Sequence, residues 1–336
     1  MFPSRRDFIT RAAGAAAVGM VPAVLPAVPA IKEPPTQDAI VALFKSLPGE
    51  VSFKIYAPAV NGKPGFLVAS NSAKAMFCGS AFKSFVLCEI LRQADSTTVG
   101  QTISSQQLTL DAGVWSADSS VFNPPNLIGK VSLRTALEAM ISHSDNTATD
   151  MCLNYIGPDK VRAMIASIGL KSAIIPNSTR TFFGYLLGAK DFKTFTWEQL
   201  GAAANSNIVN QPLNPVESMA CSADDFVSYY SRALQGEFFK NPQTLSHFRQ
   251  VLSTGDAIWL MPMPLGASCF LKGGSIDVPG FHALCVPGGM LFDDRWVYFC
   301  LTINWTAAAE KDPATVQAFA AAASRAMAMV KDGLAC

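Results

Sequence analysis

The chain predicts a mixed α/β (α+β) fold: an antiparallel sheet built from both ends of the sequence, flanked by helices, with an inserted all-helical lobe. Three observations predict it. Strand-like segments cluster near the two ends. The middle carries the apolar spacing of helices. Strands and helices do not alternate throughout, which argues against a doubly wound parallel sheet. The 336 residues are 50% hydrophobic and 15% charged, enough apolar surface for one large domain or two intertwined lobes.

The first segment reads as an address. Arg5 and Arg6 in SRRDFI form a twin-arginine pattern, followed by an uncharged run from Ala12 and small residues at Ala27 and Ala30. That order reads as an export signal over residues 1–30, removed near Ala30. A retained anchor is the alternative, but the apolar run is short and broken by Pro22, Pro26 and Pro29. The expected destination is the periplasm or the exterior, with no membrane contact after cleavage.

Residues 31–336 are expected to form one domain, with an α/β lobe over about 31–80 and 222–336 and a helical lobe over about 81–221. TQDAIVALFKSL reads as a first helix. VSFKIYAPA and GFLVASN read as strands separated by a turn at Asn61-Gly62. A helix follows from Ser80, and then the turn-rich WSADSSVFNPPN. In VSLRTALEAMISHSDN, Leu133, Ala136, Leu137, Met140 and Ile141 give one buried helical stripe. Two short helices run to about Gly169, and the pattern up to about Asn214 is ambiguous. SADDFVSYYSRALQGEFF is a helix capped by Ser222. ASCFLKGGS, FHALCVPGGMLF and RWVYFCLTINW read as three strands. Asp312-Pro313 then opens an alanine-rich final helix.

Charge and cysteines narrow the function classes. A net charge of +1 gives no nucleic-acid surface. The eight cysteines (Cys78, Cys88, Cys152, Cys221, Cys269, Cys285, Cys300 and Cys336) include no C-x-x-C pair. A zinc or thioredoxin-type site is therefore not expected, and no cofactor is implied. Most read as buried thiols, with room for one bridge of unassigned pairing. Neither G-x-S-x-G nor H-E-x-x-H occurs.

The chemistry-bearing pattern begins at GSAFKS. Lysine is rarely buried unless paired, yet Lys83 lies in an apolar run with Phe82, Phe85, Val86, Leu87, Ile90 and Leu91. Residues three apart share a helix face, so Ser80 and Lys83 are neighbours. A serine hydroxyl needs a base to become a nucleophile, and burial depresses a lysine's pKa enough to supply one. Free backbone N–H groups at the helix start can stabilise an oxyanion. Two companions follow in order, Ser144-Asp145-Asn146 and Lys272-Gly273-Gly274-Ser275.

S-x-x-K, S-D-N and a K-G-G variant of K-T-G together resemble the class A β-lactamase-type serine hydrolases, within the wider superfamily of penicillin-recognising serine enzymes. CGSAFKSFVLCEIL, ALEAMISHSDNTATDMCL and NPVESMACSADDF extend the resemblance over most of residues 45–331. It implies a β-lactamase/transpeptidase-like fold and an acyl-serine mechanism. Ser80 is then the acylated nucleophile and Lys83 a general base or relay. Ser144 passes protons to the leaving nitrogen, and Asn146 binds the substrate's amide side chain. Lys272 holds Ser144 and a substrate carboxylate, and Gly274 and Ser275 line the substrate. The N–H groups of Ser80 and Ser275 form the oxyanion hole, and Asp145 is structural.

The pattern departs from the family in three places. Gly273 stands where the family has Thr or Ser. His282, after Gly280-Phe281, stands where an arginine is frequent; it either binds a carboxylate or packs. Glu198 in TWEQL matches part of the R-W-E-x-x-L-N loop that carries the deacylating glutamate. Thr196-x-x-Gln199 is equally a capping box, with Glu198 in a first helical turn. Trp115 either walls the cleft or packs, and His143 reads as a packed helix residue.

The expected partner is a small-molecule acyl substrate: a β-lactam, ester or amide. The leading expectation is an exported β-lactamase. An esterase or DD-peptidase-like amidase is the second, and a penicillin-binding sensor or pseudoenzyme that stays acylated the third.

Overall fold

The computed structural model describes residues 37–203 and 206–334. The expected export signal over residues 1–30 and Cys336 lie outside them. In chain order the elements begin with α1 (Gln37–Phe44), β1 (Glu50–Ala57), β2 (Phe66–Ser70) and β3 (Met76–Phe77). A 3-10 turn (Gly79–Phe82) leads into α2 (Lys83–Gln93), α3 (Val99–Ser105), β4 (Gln107–Leu110) and β5 (Gly129–Ser132). The helices α4 (Leu133–Ser142), α5 (Asn146–Ile156), α6 (Pro158–Ser167), α7 (Thr179–Leu186) and α8 (Trp197–Ala202) follow. The chain returns through β6 (Ala220–Cys221), α9 (Ala223–Ala233) and α10 (Pro242–Leu252). It closes with β7 (Ser268–Leu271), β8 (Gly274–Val278), β9 (Phe281–Phe292), β10 (Arg295–Trp305) and α11 (Pro313–Leu334).

The main sheet is antiparallel with order β2-β1-β10-β9-β7, and β8 also pairs with β9. Both faces of its centre are covered, so β9 and β10 are almost continuously buried. Alternation still assigns the faces. Leu284, Val286, Val297, Phe299, Leu301 and Ile303 pack in one core with Phe44 of α1 and Phe319 of α11. Ala283, Cys285, Tyr298 and Cys300 join the other core, with α2 and α9. The capping expectations hold locally: Ser222 accepts the Asp225 N–H, and Asp312 accepts the Thr315 N–H.

Four details differ from the sequence reading. Ser80 lies in the 3-10 turn and α2 begins at Lys83. The S-D-N segment links α4 to α5 rather than ending a helix, with Ser144 at φ +55°. The expected strand from Ala267 to Ser275 is split into β7 and β8 opposite Pro287. The Lys272 N–H still reaches the Pro287 carbonyl (3.4 Å), but proline returns no N–H. The helix expected up to Phe239 stops at Ala233, and α10 begins separately behind Asn241-Pro242. The seven described cysteines are free thiols. No described helix is long and apolar enough to cross a membrane.

Candidate active site

The main sheet, its edge strand β8 and the helical layer meet at Ser80. The Gly79–Phe82 turn packs so closely on β8 that neither backbone has room for a side chain between them. A Cβ on Gly274 would lie 2.0 Å from the Cys78 carbonyl and 2.7 Å from the Ser80 nitrogen. A Cβ on Gly79, already at φ +49°, would lie 2.7 Å from the Ser275 nitrogen. The two glycines thus bring the amides of Ser80 and Ser275 close together at the partly exposed Ser80. Two such donors near a nucleophile can hold an oxyanion.

Lys83, the first residue of α2, is fully buried. Its Nζ donates to the Ser144 carbonyl (2.5 Å), the Ser144 Oγ (3.3 Å) and Asn146 Oδ1 (2.7 Å). No described carboxylate is ion-paired with it. Burial first, and the Lys272 charge second, bring its pKa down to about 7. Lys272 is also fully buried. Its Nζ lies 3.0 Å from Ser144 Oγ and 2.7 Å from Asp256 Oδ2. Burial lowers its pKa, with the Asp256 charge opposing. The Ser144 hydroxyl therefore bridges two lysines, a path along which a proton can pass between Lys83 and the cleft.

Asp145 explains how Ser144 is held in its left-handed turn. Its Oδ1 accepts the Ala148 N–H (2.8 Å), capping α5. Its Oδ2 accepts the Val121 and Phe122 N–H groups (2.9 and 3.0 Å). Removing a buried acceptor strands all three donors. Asp145→Ala is expected to cost about 3 kcal/mol or more. A thermal unfolding series with Asp145→Asn, which keeps one acceptor oxygen, checks this.

Beneath Asn146 lies a second polar layer. The Thr179 hydroxyl contacts Asp150 Oδ1 (2.8 Å), the Ser116 hydroxyl (2.8 Å) and the Asn146 carbonyl (3.4 Å). Asp150 also accepts the Thr179 and Arg180 N–H groups, while burial raises its pKa to about 6. The Arg180 guanidinium fastens the carbonyls of Ala112, Gly113 and Trp115. Asp118, on the same loop as Trp115, accepts the Asn146 N–H through its carbonyl (3.3 Å). Burial raises its carboxyl to about 7, with Lys83 opposing. None of Asp118, Asp150, Thr179, Arg180 and Asp256 stands in a motif. The one sequence signal that could have found any of them is the helix period, which puts Asp150 one turn after Asn146.

Two expected site residues lie elsewhere. Glu198 is exposed in the first turn of α8, where Thr196 and Gln199 form the capping box. Its own N–H and Thr196 lower its pKa, as suits an ionised carboxylate at a helix start. It makes no hydrogen bond to Ser80, Lys83 or Asn146. The capping alternative is the one the geometry supports, and Glu198→Gln is expected to leave acylation and deacylation rates within about twofold, the scale of a small surface perturbation. His282 is fully buried on the α11 side of the sheet. Its Nδ1 lies 2.8 Å from Asp277 Oδ1 and its ring stacks on Trp305, so it is spoken for by packing. Trp115 packs edge-on against Trp197. His143 caps the end of α4, exposed rather than packed.

A family model described as the Beta-lactamase enzyme family matches residues 35–258. A β-lactamase from Sphaerobacter thermophilus aligns over 87% of this chain and 96% of its own, with 18% identity and a TM-score of 0.62. A β-lactamase from Chitinophaga pinensis aligns over 87% and 97%, with 15% identity and a TM-score of 0.65. The structure named PBP-A aligns over 87% and 94%, with 14% identity and a TM-score of 0.62. At these identities the structural likeness establishes the fold. A search of curated protein sequences finds no match.

Proposed function

The chain belongs to the β-lactamase enzyme family, and on that premise we propose that it hydrolyses small acyl substrates, a β-lactam ring among them, through an acyl-Ser80 intermediate. One observation carries the reading. A fully buried lysine with a pKa near neutrality sits three residues after a partly exposed serine, with the Ser144 hydroxyl joining it to a second buried lysine.

In the first half-reaction the Ser80 Oγ attacks the acyl carbon and Lys83 takes its proton. The oxyanion lies against the Ser80 and Ser275 amides. The bond from carbon to the leaving nitrogen or oxygen then breaks, and the proton reaches the leaving atom through Ser144. In the second half, water attacks the acyl carbon, the bond from that carbon to Ser80 Oγ breaks, and the water's proton returns to Oγ through Ser144 and Lys83. Among the described residues no carboxylate is hydrogen-bonded to Lys83, and Glu198 stands apart, so water activation rests on Lys83 and Ser144. Deacylation is therefore the slower half. The twin-arginine pattern supports export of the folded protein to a compartment where such substrates are met.

Intact-mass time courses after mixing with a penicillin test this. The expected result is a covalent adduct that accumulates before it clears and is absent in Ser80→Ala. Turnover retained in Ser80→Ala contradicts the reading.

A further inference from the structure

Lys272, which the resemblance assigns to a substrate carboxylate, is held by the protein's own carboxylate. Asp256 opens a 3-10 turn (Asp256–Ile258) just after α10. Its Oδ2 lies 2.7 Å from Lys272 Nζ, and its Oδ1 accepts the Gly273 N–H at 2.9 Å. A carboxylate thus grips both the strand lysine and the next amide, as an anionic ligand at this strand would. The remaining Lys272 donors reach the Gly273 carbonyl and the Ser144 hydroxyl. The same turn fills the space beside residue 273. A Cβ there would lie 2.7 Å from the Ala257 Cβ and 3.1 Å from Asp256 Oδ1, so a hydroxyl-bearing side chain has no room. His282, where the resemblance expects an arginine, lies on the opposite face of the sheet, against Asp277 and Trp305.

We propose that Asp256 fills the substrate-carboxylate subsite, and that the enzyme prefers acyl donors carrying no carboxylate beside the scissile bond, uncharged esters and amides, over anionic donors such as penicillins, which acylate it more slowly. An anionic donor meets a lysine already neutralised by an ion pair and a like charge at 29% side-chain exposure. An uncharged donor meets neither penalty. This rests on the acyl-Ser80 reading.

The test uses two esters of phenylacetylglycine with matched leaving groups, 3-carboxyphenyl and 3-carbamoylphenyl, which differ by one charge. The expected wild-type result is a kcat/KM at least tenfold higher for the carbamoyl ester, a gap that narrows as salt is raised. Asp256→Asn, which keeps the hydrogen-bonding shape, is expected to shrink the ratio at least fivefold by speeding the carboxyphenyl ester. Equal or faster cleavage of the carboxyphenyl ester by the wild-type protein overturns the proposal. So does an unchanged ratio in a folded Asp256→Asn. Cleavage of neither ester, or equal cleavage by Ser80→Ala, overturns the acyl-Ser80 reading and the substrate assignment with it. The wild-type comparison stands even where the variant fails to fold.

Discussion

Lys83→Met is expected to slow Ser80 acylation by about 10²–10⁴-fold, the usual contribution of a positioned general base. Methionine keeps the length and apolar stem of the side chain but takes no proton. The wild-type acylation rate should rise with pH through about 7 and then level. The sign follows from the base being the neutral amine: below about 7 Lys83 is protonated and cannot accept the Ser80 proton. The profile of the Met variant should lose that step. Stopped-flow acylation across pH 5–9 reads both effects, pH range chosen to bracket the expected midpoint of about 7. A wild-type rate that falls as pH rises through 7 contradicts the assignment of Lys83 as base.

The second large effect is expected from Gly274→Ala. The added methyl meets backbone on every side: the Cys78 carbonyl at 2.0 Å, the Ala81 nitrogen at 2.5 Å and the Ser80 nitrogen at 2.7 Å. None of these is the far end of a flexible side chain, so β8 and the nucleophile turn must part. Overpacking of this kind costs about 1–3 kcal/mol of stability. Parting the two strands of backbone also separates the Ser80 and Ser275 amides. Loss of one oxyanion donor typically costs about 10²–10³ in rate. Acylation should therefore fall by at least about 100-fold on the same ground, with a lowered unfolding temperature. A variant as fast as the wild type would show that the amides are not an oxyanion hole.

Local pattern carried much of this architecture. The stripe of Leu133, Ala136, Leu137, Met140 and Ile141 became the buried face of α4, because periodicity reports burial directly. The apolar runs of β9 and β10 became central strands for the same reason. Ser80, Lys83, Ser144 and Lys272 stand out in the sequence because a lysine in an apolar run and short polar clusters beside helices are chemically odd. The structure brings all four together. What the sequence hid depends on long-range packing. Thr196-x-x-Gln199 permitted either a cap or a catalytic loop, and only the docking of α8 through Leu200 and Trp197 leaves Glu198 in solvent. His282 has the right spacing after Gly280, but a shift of one residue along a strand reverses the face, and its ring lies with Trp305. Asp256 sits between α10 and β7 with no neighbouring motif, so its grip on Lys272 emerges only from the fold. The Asp150–Thr179 layer under Asn146 is hidden in the same way.

The central claim is that the acyl group is carried by Ser80. It is tested most directly by quenching the reaction with an uncharged activated ester at short times and mapping the acylated peptide by mass. The label is expected on the peptide containing Ser80, formed faster as pH rises through about 7 and absent in Ser80→Ala. A label on any other residue, or turnover without a label on Ser80 at any time point, contradicts it.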